Sequence, residues 1–151
     1  MRGEATKVRD HLLTGVWGRE VHLVTETHKY ARGPVGANAP LSMMSNRWST
    51  MPTHVVDKYV ALPLPDERAF LDRMPGSTVP VIHQTFDAGD PIPFWARSRA
   101  SGHHLFDRAE DPHEDRNLTG TPLEALLAEQ LRAAMQEIEA PASQFERLGL
   151  A

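Results

Sequence analysis

Short alternating segments open the chain, and one long amphipathic repeat closes it. Stretches 12–18 and 20–25 are apolar and rich in Val and Trp, and in the second Val21, Leu23 and Thr25 alternate with His22 and Val24. That is the two-residue period of a strand. His28-Lys29-Tyr30-Ala31-Arg32 follows after Glu26-Thr27 and is closed by Gly33-Pro34, so a hairpin or meander of three short strands is predicted. Beyond Val35, Pro40, Pro52, Pro63 and Pro65 impose an extended path with at most short strands near 41–48 and 59–62.

Pro65-Asp66-Glu67-Arg68 reads as the opening of a short helix to Asp72, because acids in a first turn suit the helix dipole and Pro75-Gly76 would end it. Val79-Pro80-Val81-Ile82 and Pro93-Phe94-Trp95-Ala96 read as buried edge segments. His104-Leu105-Phe106-Asp107 reads as a strand running into a turn at Asp111-Pro112-His113-Glu114. The clearest helix spans 121–139, with Thr121 as N-cap, Pro122 in first place and Glu124 completing a capping box. Leu123, Leu127, Leu131, Ala134 and Ile138 recur at helical spacing, and Leu126 and Met135 widen the stripe. The helix stops before Pro141, and Phe145, Leu148 and Leu150 form a docking tail over 141–151. The expected fold is α+β, a small antiparallel sheet packed against a long C-terminal amphipathic helix, as one domain over 1–151 with a polar lead-in over 1–11.

Composition narrows the chemistry. With 151 residues, 16 Lys+Arg and 20 Asp+Glu give a net charge of −4, and no basic run offers phosphates a surface, which argues against nucleic acid. No apolar run approaches the roughly 20 residues that span a bilayer, so no membrane partner is expected and the chain reads as soluble. The absence of Cys removes disulfides, thiolate metal sites and thiol nucleophiles.

Three segments carry a resemblance. Val24-Thr25-Glu26-Thr27-His28-Lys29-Tyr30 resembles the Thr-Asp-x-x-Lys-Tyr hairpin of the sulfatase (arylsulfatase) family, with Glu26 where Asp is usual. His104-Leu105-Phe106-Asp107, then Asp111-Pro112-His113-Glu114 and Asn117-Leu118, is similar to that family's Leu-Tyr/Phe-Asp, Asp-Pro-x-Glu and Asn-Leu signature. The final helix and the tail from Ala140-Pro141 to Arg147-Leu148-Gly149-Leu150 complete the set, and Met51-Pro52-Thr53-His54 is similar to a segment of some bacterial members. The resemblance is to the C-terminal subdomain of these alkaline-phosphatase-like enzymes, and it implies a small sheet attached to a much larger catalytic domain.

Sulfatases use a formylglycine made from a Cys/Ser-x-Pro-x-Arg motif. There is no Cys here, and none of Ser42, Ser45, Ser49, Ser77, Ser98, Ser101 or Ser143 has Pro two residues later. The resemblance therefore implies the C-terminal portion of a sulfuric ester hydrolase, not catalytic alone, whose partner is the catalytic domain. Calcium is expected only in that domain: Asp10-His11 is followed by Leu12 where the family has Gly, and no acidic pair precedes it. The alternative is a stand-alone binding or oligomerisation module that self-associates through the face the catalytic domain would cover.

Among candidate site residues, Lys29 and His54, with Thr53 beside it, suit a sulfate ester's charge and are the expected substrate contacts. The structural alternative puts Lys29 on the hairpin's solvent face and has His54 hold a loop. His103, His104 and His113 form the tightest histidine group, but strand neighbours point to opposite faces, so no metal site is expected. Asp107, Glu110, Asp111, Glu114 and Asp115 lack EF-hand spacing and read as a capped turn with Arg116 as counter-charge. Trp17, Trp48 and Trp95 with Phe94 and Phe106 suit a sugar platform, but aromatic residues beside apolar runs are core more often than ligand sites. Ser-His-acid chemistry has the residue types but no Gly-x-Ser-x-Gly elbow.

Overall fold

The computed structural model describes residues 9–46, 66–92, 96 and 102–151. Strands β1 (His11–Gly15), β2 (Val21–Thr25), β3 (His28–Arg32) and β7 (His104–Asp107) form a four-stranded antiparallel sheet in that spatial order. Strands β4 (Leu41–Ser45), β5 (Phe70–Arg73) and β6 (Pro80–Phe86) form a second antiparallel sheet ordered β4-β6-β5. Two helices follow, α1 (Pro122–Glu137) and α2 (Ala142–Leu148). The fold is α+β as expected from the sequence, with a second sheet in addition.

Register explains the core of the first sheet. Leu13 pairs with Leu23, Leu23 with Tyr30, and Tyr30 with Leu105, so one cross-strand row presents four large side chains to one face. Leu127, Leu131, Ala134 and Met135 of α1 cover that row, and Leu148 and Leu150 close its end. Leu126 and Ile138, expected in the stripe, are instead 56% and 61% exposed. Leu126 sits about 100° around the helix from Leu127, and Ile138 lies beyond the last regular turn at the C-cap.

Two helical details depart from expectation. The Thr121 hydroxyl donates to the Leu118 carbonyl at 2.8 Å instead of capping the helix, and Glu124 accepts the Gly120 N–H at 2.6 Å, one residue before the expected partner. The tail forms α2, which ends where Gly149 turns left-handed at φ 62° and Leu150 N–H reaches the Phe145 carbonyl at 2.8 Å.

The second sheet corrects two more expectations. Where a helix is expected over 65–72, the described residues 66–72 form a tight turn followed by β5. Asp66 accepts the Arg68 backbone N–H at 2.9 Å and grips its guanidinium at 2.6 Å, so the side chain satisfies the backbone in a turn and competes with helix formation. Asp87 and Asp90 reach the same guanidinium at 3.2 and 2.7 Å. The segment at Val79-Pro80-Val81-Ile82 opens β6, the central strand and not an edge; Pro80 is tolerated because it stands at the strand's first position. The expected strand at 59–62 and the segment Pro93-Phe94-Trp95 lie outside the described residues.

A few side chains tie the sheets together. Trp17, from the turn between β1 and β2, donates Nε1–H to the Ser42 carbonyl at 2.7 Å and meets Phe86 edge-on at 5.4 Å. The sugar-platform reading of Trp17 gives way to this structural one, and Trp48 and Trp95 lie outside the described residues. Gly18 has φ 74°, and a Cβ there would stand 2.5 Å from that of Ala96, so the close approach requires glycine. Substituting Leu131→Ala, at a site with no exposure, is expected to cost about 2–5 kcal/mol in urea unfolding, whereas Leu126→Ala stays within about 0.5 kcal/mol.

Candidate functional site

The first sheet has two chemically different faces. On the helix side, β3 carries Tyr30 and the C-terminal end of β3 carries Arg32, while α1 places Glu124 in its first turn. The Tyr30 hydroxyl donates to Glu124 Oε1 at 3.3 Å and accepts from Arg32 Nη1 at 2.9 Å. His103 Nδ1 lies 3.0 Å from the same carboxylate oxygen, which can only accept, so that nitrogen carries the proton. Arg32 continues to the carbonyls of Leu148 and Gly149 at 2.8 and 3.1 Å. Burial raises the Tyr30 pKa against the pull of Arg32. For Glu124, burial pushes its pKa up, but the Gly120 N–H and the His103 and Tyr30 hydrogen bonds together hold it below its usual value. With Tyr30 fully buried and every group engaged, the cluster tethers the C-terminal tail to the first sheet.

Lys29 belongs to the opposite face, because its strand neighbour Tyr30 points into the core. It pairs across β2 and β7 with Val24 and Phe106, beside the row His22, Ala31, His104. His104 stacks on Phe106 with ring centroids 6.0 Å apart and planes 14° apart. His103 and His104 are thus on opposite faces, as strand alternation requires. The His22 pKa is lowered by burial first, then by Lys29 and His104, against Glu20 and Glu114. Lys29 Nζ itself donates to both Glu114 oxygens, at 2.8 and 2.9 Å, so its charge is met within the chain. The other two expected contacts, Thr53 and His54, lie outside the described residues.

The loop after β7 supplies Glu114, and its acids cap backbone. Asp107 Oδ1 accepts the N–H groups of Ala109 and Glu110 at 2.9 and 3.0 Å. Asp111 does the same for Asp115 and Arg116 at 3.0 and 2.9 Å. These backbone donors are the leading reason that both carboxyls sit below their usual range, with Arg116 adding a smaller pull. Asn117 joins the loop to the sheet, accepting the Leu105 N–H at 2.9 Å and donating to the His103 carbonyl at 3.1 Å. Glu114 holds a left-handed φ of 58° within this loop. Among the described residues, no three His, Asp or Glu side chains gather to hold a metal ion, and no helix is long and apolar enough to cross a membrane.

Sequence reasoning did not anticipate the cluster of Tyr30, Arg32, His103 and Glu124. Its members are up to 94 positions apart, and Glu124 already had an adequate local role as a cap. No known protein family, curated protein or solved structure matches the chain.

Two outcomes follow for stability. Because the folded pKa of Glu124 is depressed, the unfolded chain takes up this proton first, so the contribution is full above the ordinary value of 4.5 and is lost as pH falls below it. Glu124→Gln is therefore expected to flatten the acid limb of stability against pH, measured by urea midpoints between pH 3 and 7, which are chosen as roughly the window of carboxylate titration. Lys29→Ala, which breaks a part-exposed pair, is expected to cost less than about 1 kcal/mol in the same assay.

Proposed function

We propose that this chain is the C-terminal portion of a sulfatase-like sulfuric ester hydrolase and does not hydrolyse sulfate esters by itself. One observation carries the reading: the three segments that resemble the family, far apart in sequence, meet as a single unit. His28, Lys29 and Tyr30 of the hairpin pair with Asp107, Phe106 and Leu105 of the second segment. Lys29 then grips Glu114 of the Asp-Pro-His-Glu turn, and Tyr30 reaches Glu124 at the start of the final helix. Residues that carry the resemblance thus contact one another across the first sheet, which is how a structural signature of a family subdomain would behave.

A second reading, a stand-alone module that self-associates, is favoured by a separate feature. Phe70, Met74 and Val79 at the β5 and β6 hairpin are 51%, 50% and 52% exposed, apolar side chains of the kind that mark interaction surfaces.

The purified chain is expected to show no turnover of 4-nitrocatechol sulfate with or without calcium; measurable turnover would overturn the first reading. An in-frame Cys/Ser-x-Pro-x-Arg codon run upstream would support it. Light scattering separates the second reading: a dimer that Met74→Asp dissolves supports a self-associating module, and a monomer removes it.

A further inference from the structure

The turn between β2 and β3 holds a hydroxyl, an imidazole and a carboxylate in line. Thr25 fixes the turn by donating its hydroxyl to the His28 carbonyl at 3.2 Å and accepting the His28 N–H at 2.9 Å. With that backbone held on both sides, His28 Nδ1 stands 2.7 Å from Thr27 Oγ1, and Nε2 stands 3.9 Å from Asp107 Oδ2. Asp107 cannot swing away, because its other oxygen accepts two backbone N–H groups. If the Thr27 hydroxyl donates to Nδ1, the neutral ring carries its proton on Nε2, facing the carboxylate, and that carboxylate stabilises the imidazolium formed when Nδ1 takes a proton.

The surroundings define a ligand. Thr27 and His28 border a slot of about 650 Å³ between the hairpin and α1, whose apolar wall includes Leu123, Leu126 and Leu127. Asp10, Glu26 and Glu137 also border it, which disfavours an anionic ligand such as a sulfate ester. Arg108, whose Nη1 donates to the Thr25 carbonyl at 2.8 Å, lays a positive charge on the same turn.

We propose that Thr27 is a nucleophile and His28 its general base, with Asp107 as the positioning residue, in an acyl-transfer site for uncharged carboxylic esters. The hydroxyl–imidazole distance falls in the range of an activated nucleophile, and the looser third contact is common before substrate binds. Thr27 Oγ bonds to the ester carbonyl carbon as its proton passes to His28 Nδ1, and the imidazolium then gives that proton to the departing alkoxide as the carbon–oxygen bond breaks. Water, deprotonated by the same nitrogen, attacks the acyl-threonine and releases the acid, and the proton on Nδ1 returns to Thr27.

The test uses the full chain with 4-nitrophenyl butyrate, independently of any sulfate ester assay. The expected result is a nitrophenolate burst and, after acid quench, one butyryl group mapped by mass spectrometry to Thr27. Thr27→Ala, at an exposed position whose folding circular dichroism can check, should lower turnover about a hundredfold or more, while Thr27→Ser retains it. Asp107→Asn, whose remaining amide oxygen can still accept the loop N–H groups, should lower kcat with KM unchanged, whereas a purely structural role would leave kcat in place. Turnover unchanged in Thr27→Ala would assign hydrolysis to other histidines and overturn the proposal, as would the absence of acylation at Thr27.

Discussion

The Arg147 guanidinium is the contact on which the arrangement of the two sheets depends. It is 2% exposed and donates to Asn38 Oδ1 at 2.8 Å, to the Arg19 carbonyl at 3.0 Å and to Gln144 at 3.0 and 3.1 Å. Asn38 in turn donates to the carbonyls of Gly18 and Ala96. One side chain on α2 thereby joins the turn after β1, the connection between β3 and β4, and the C-terminal helix. Burial lowers its pKa and Glu20 opposes that shift, so the charge is kept by hydrogen bonds to neutral oxygens with a carboxylate nearby. Such a group is costly to remove, because the oxygens it serves would be left buried without donors. The Val35 N–H donates to the Arg147 carbonyl on the same helix at 2.8 Å, so backbone and side chain fasten the tail together.

The first sheet and α1 were legible in sequence because their signals are local and periodic. Alternation at Val21, Leu23 and Thr25, the dipeptide break at Glu26-Thr27 and the spacing of Leu127, Leu131 and Ala134 each describe a surface that must be buried. The second sheet was misread where a local rule had two outcomes. Acids after Pro65 suit a helix start, yet one of them, Asp66, bonds Arg68 two residues on, Gln84 at 2.9 Å and, through its own backbone N–H, the Gln84 carbonyl-type oxygen at 3.0 Å. The partner that decided the matter stands 18 positions away on β6, beyond any window of periodicity. Likewise, Pro80 marks an edge by propensity, but a strand's first residue escapes the ladder even at the centre of a sheet.

Side-chain chemistry was legible in part for a related reason. Strand alternation was enough to separate His103 from His104, and the roles of Asp107 and Asp111 as loop caps follow from their positions in a turn. Lys29 was singled out as a cation, but a sequence cannot show that Glu114, 85 positions later, meets it with both oxygens. Glu124 shows the opposite case, a residue whose local capping role is real in kind but displaced by one position, leaving its second oxygen for Tyr30 and His103.

These contacts give the two faces of the first sheet distinct characters. Under α1, polar groups are spent on one another and on the tail carbonyls, so chemistry there would have to break the fold to proceed. On the opposite face Lys29 is satisfied by Glu114, and an anionic ligand would have to displace that carboxylate before meeting the ammonium. At the turn end of the same sheet, Thr27 and His28 are held by Thr25 without being consumed by core packing. Rigid backbone beneath side chains that still border open space is the physical condition for a reactive group, and among the described contacts the turn meets it more fully than either face.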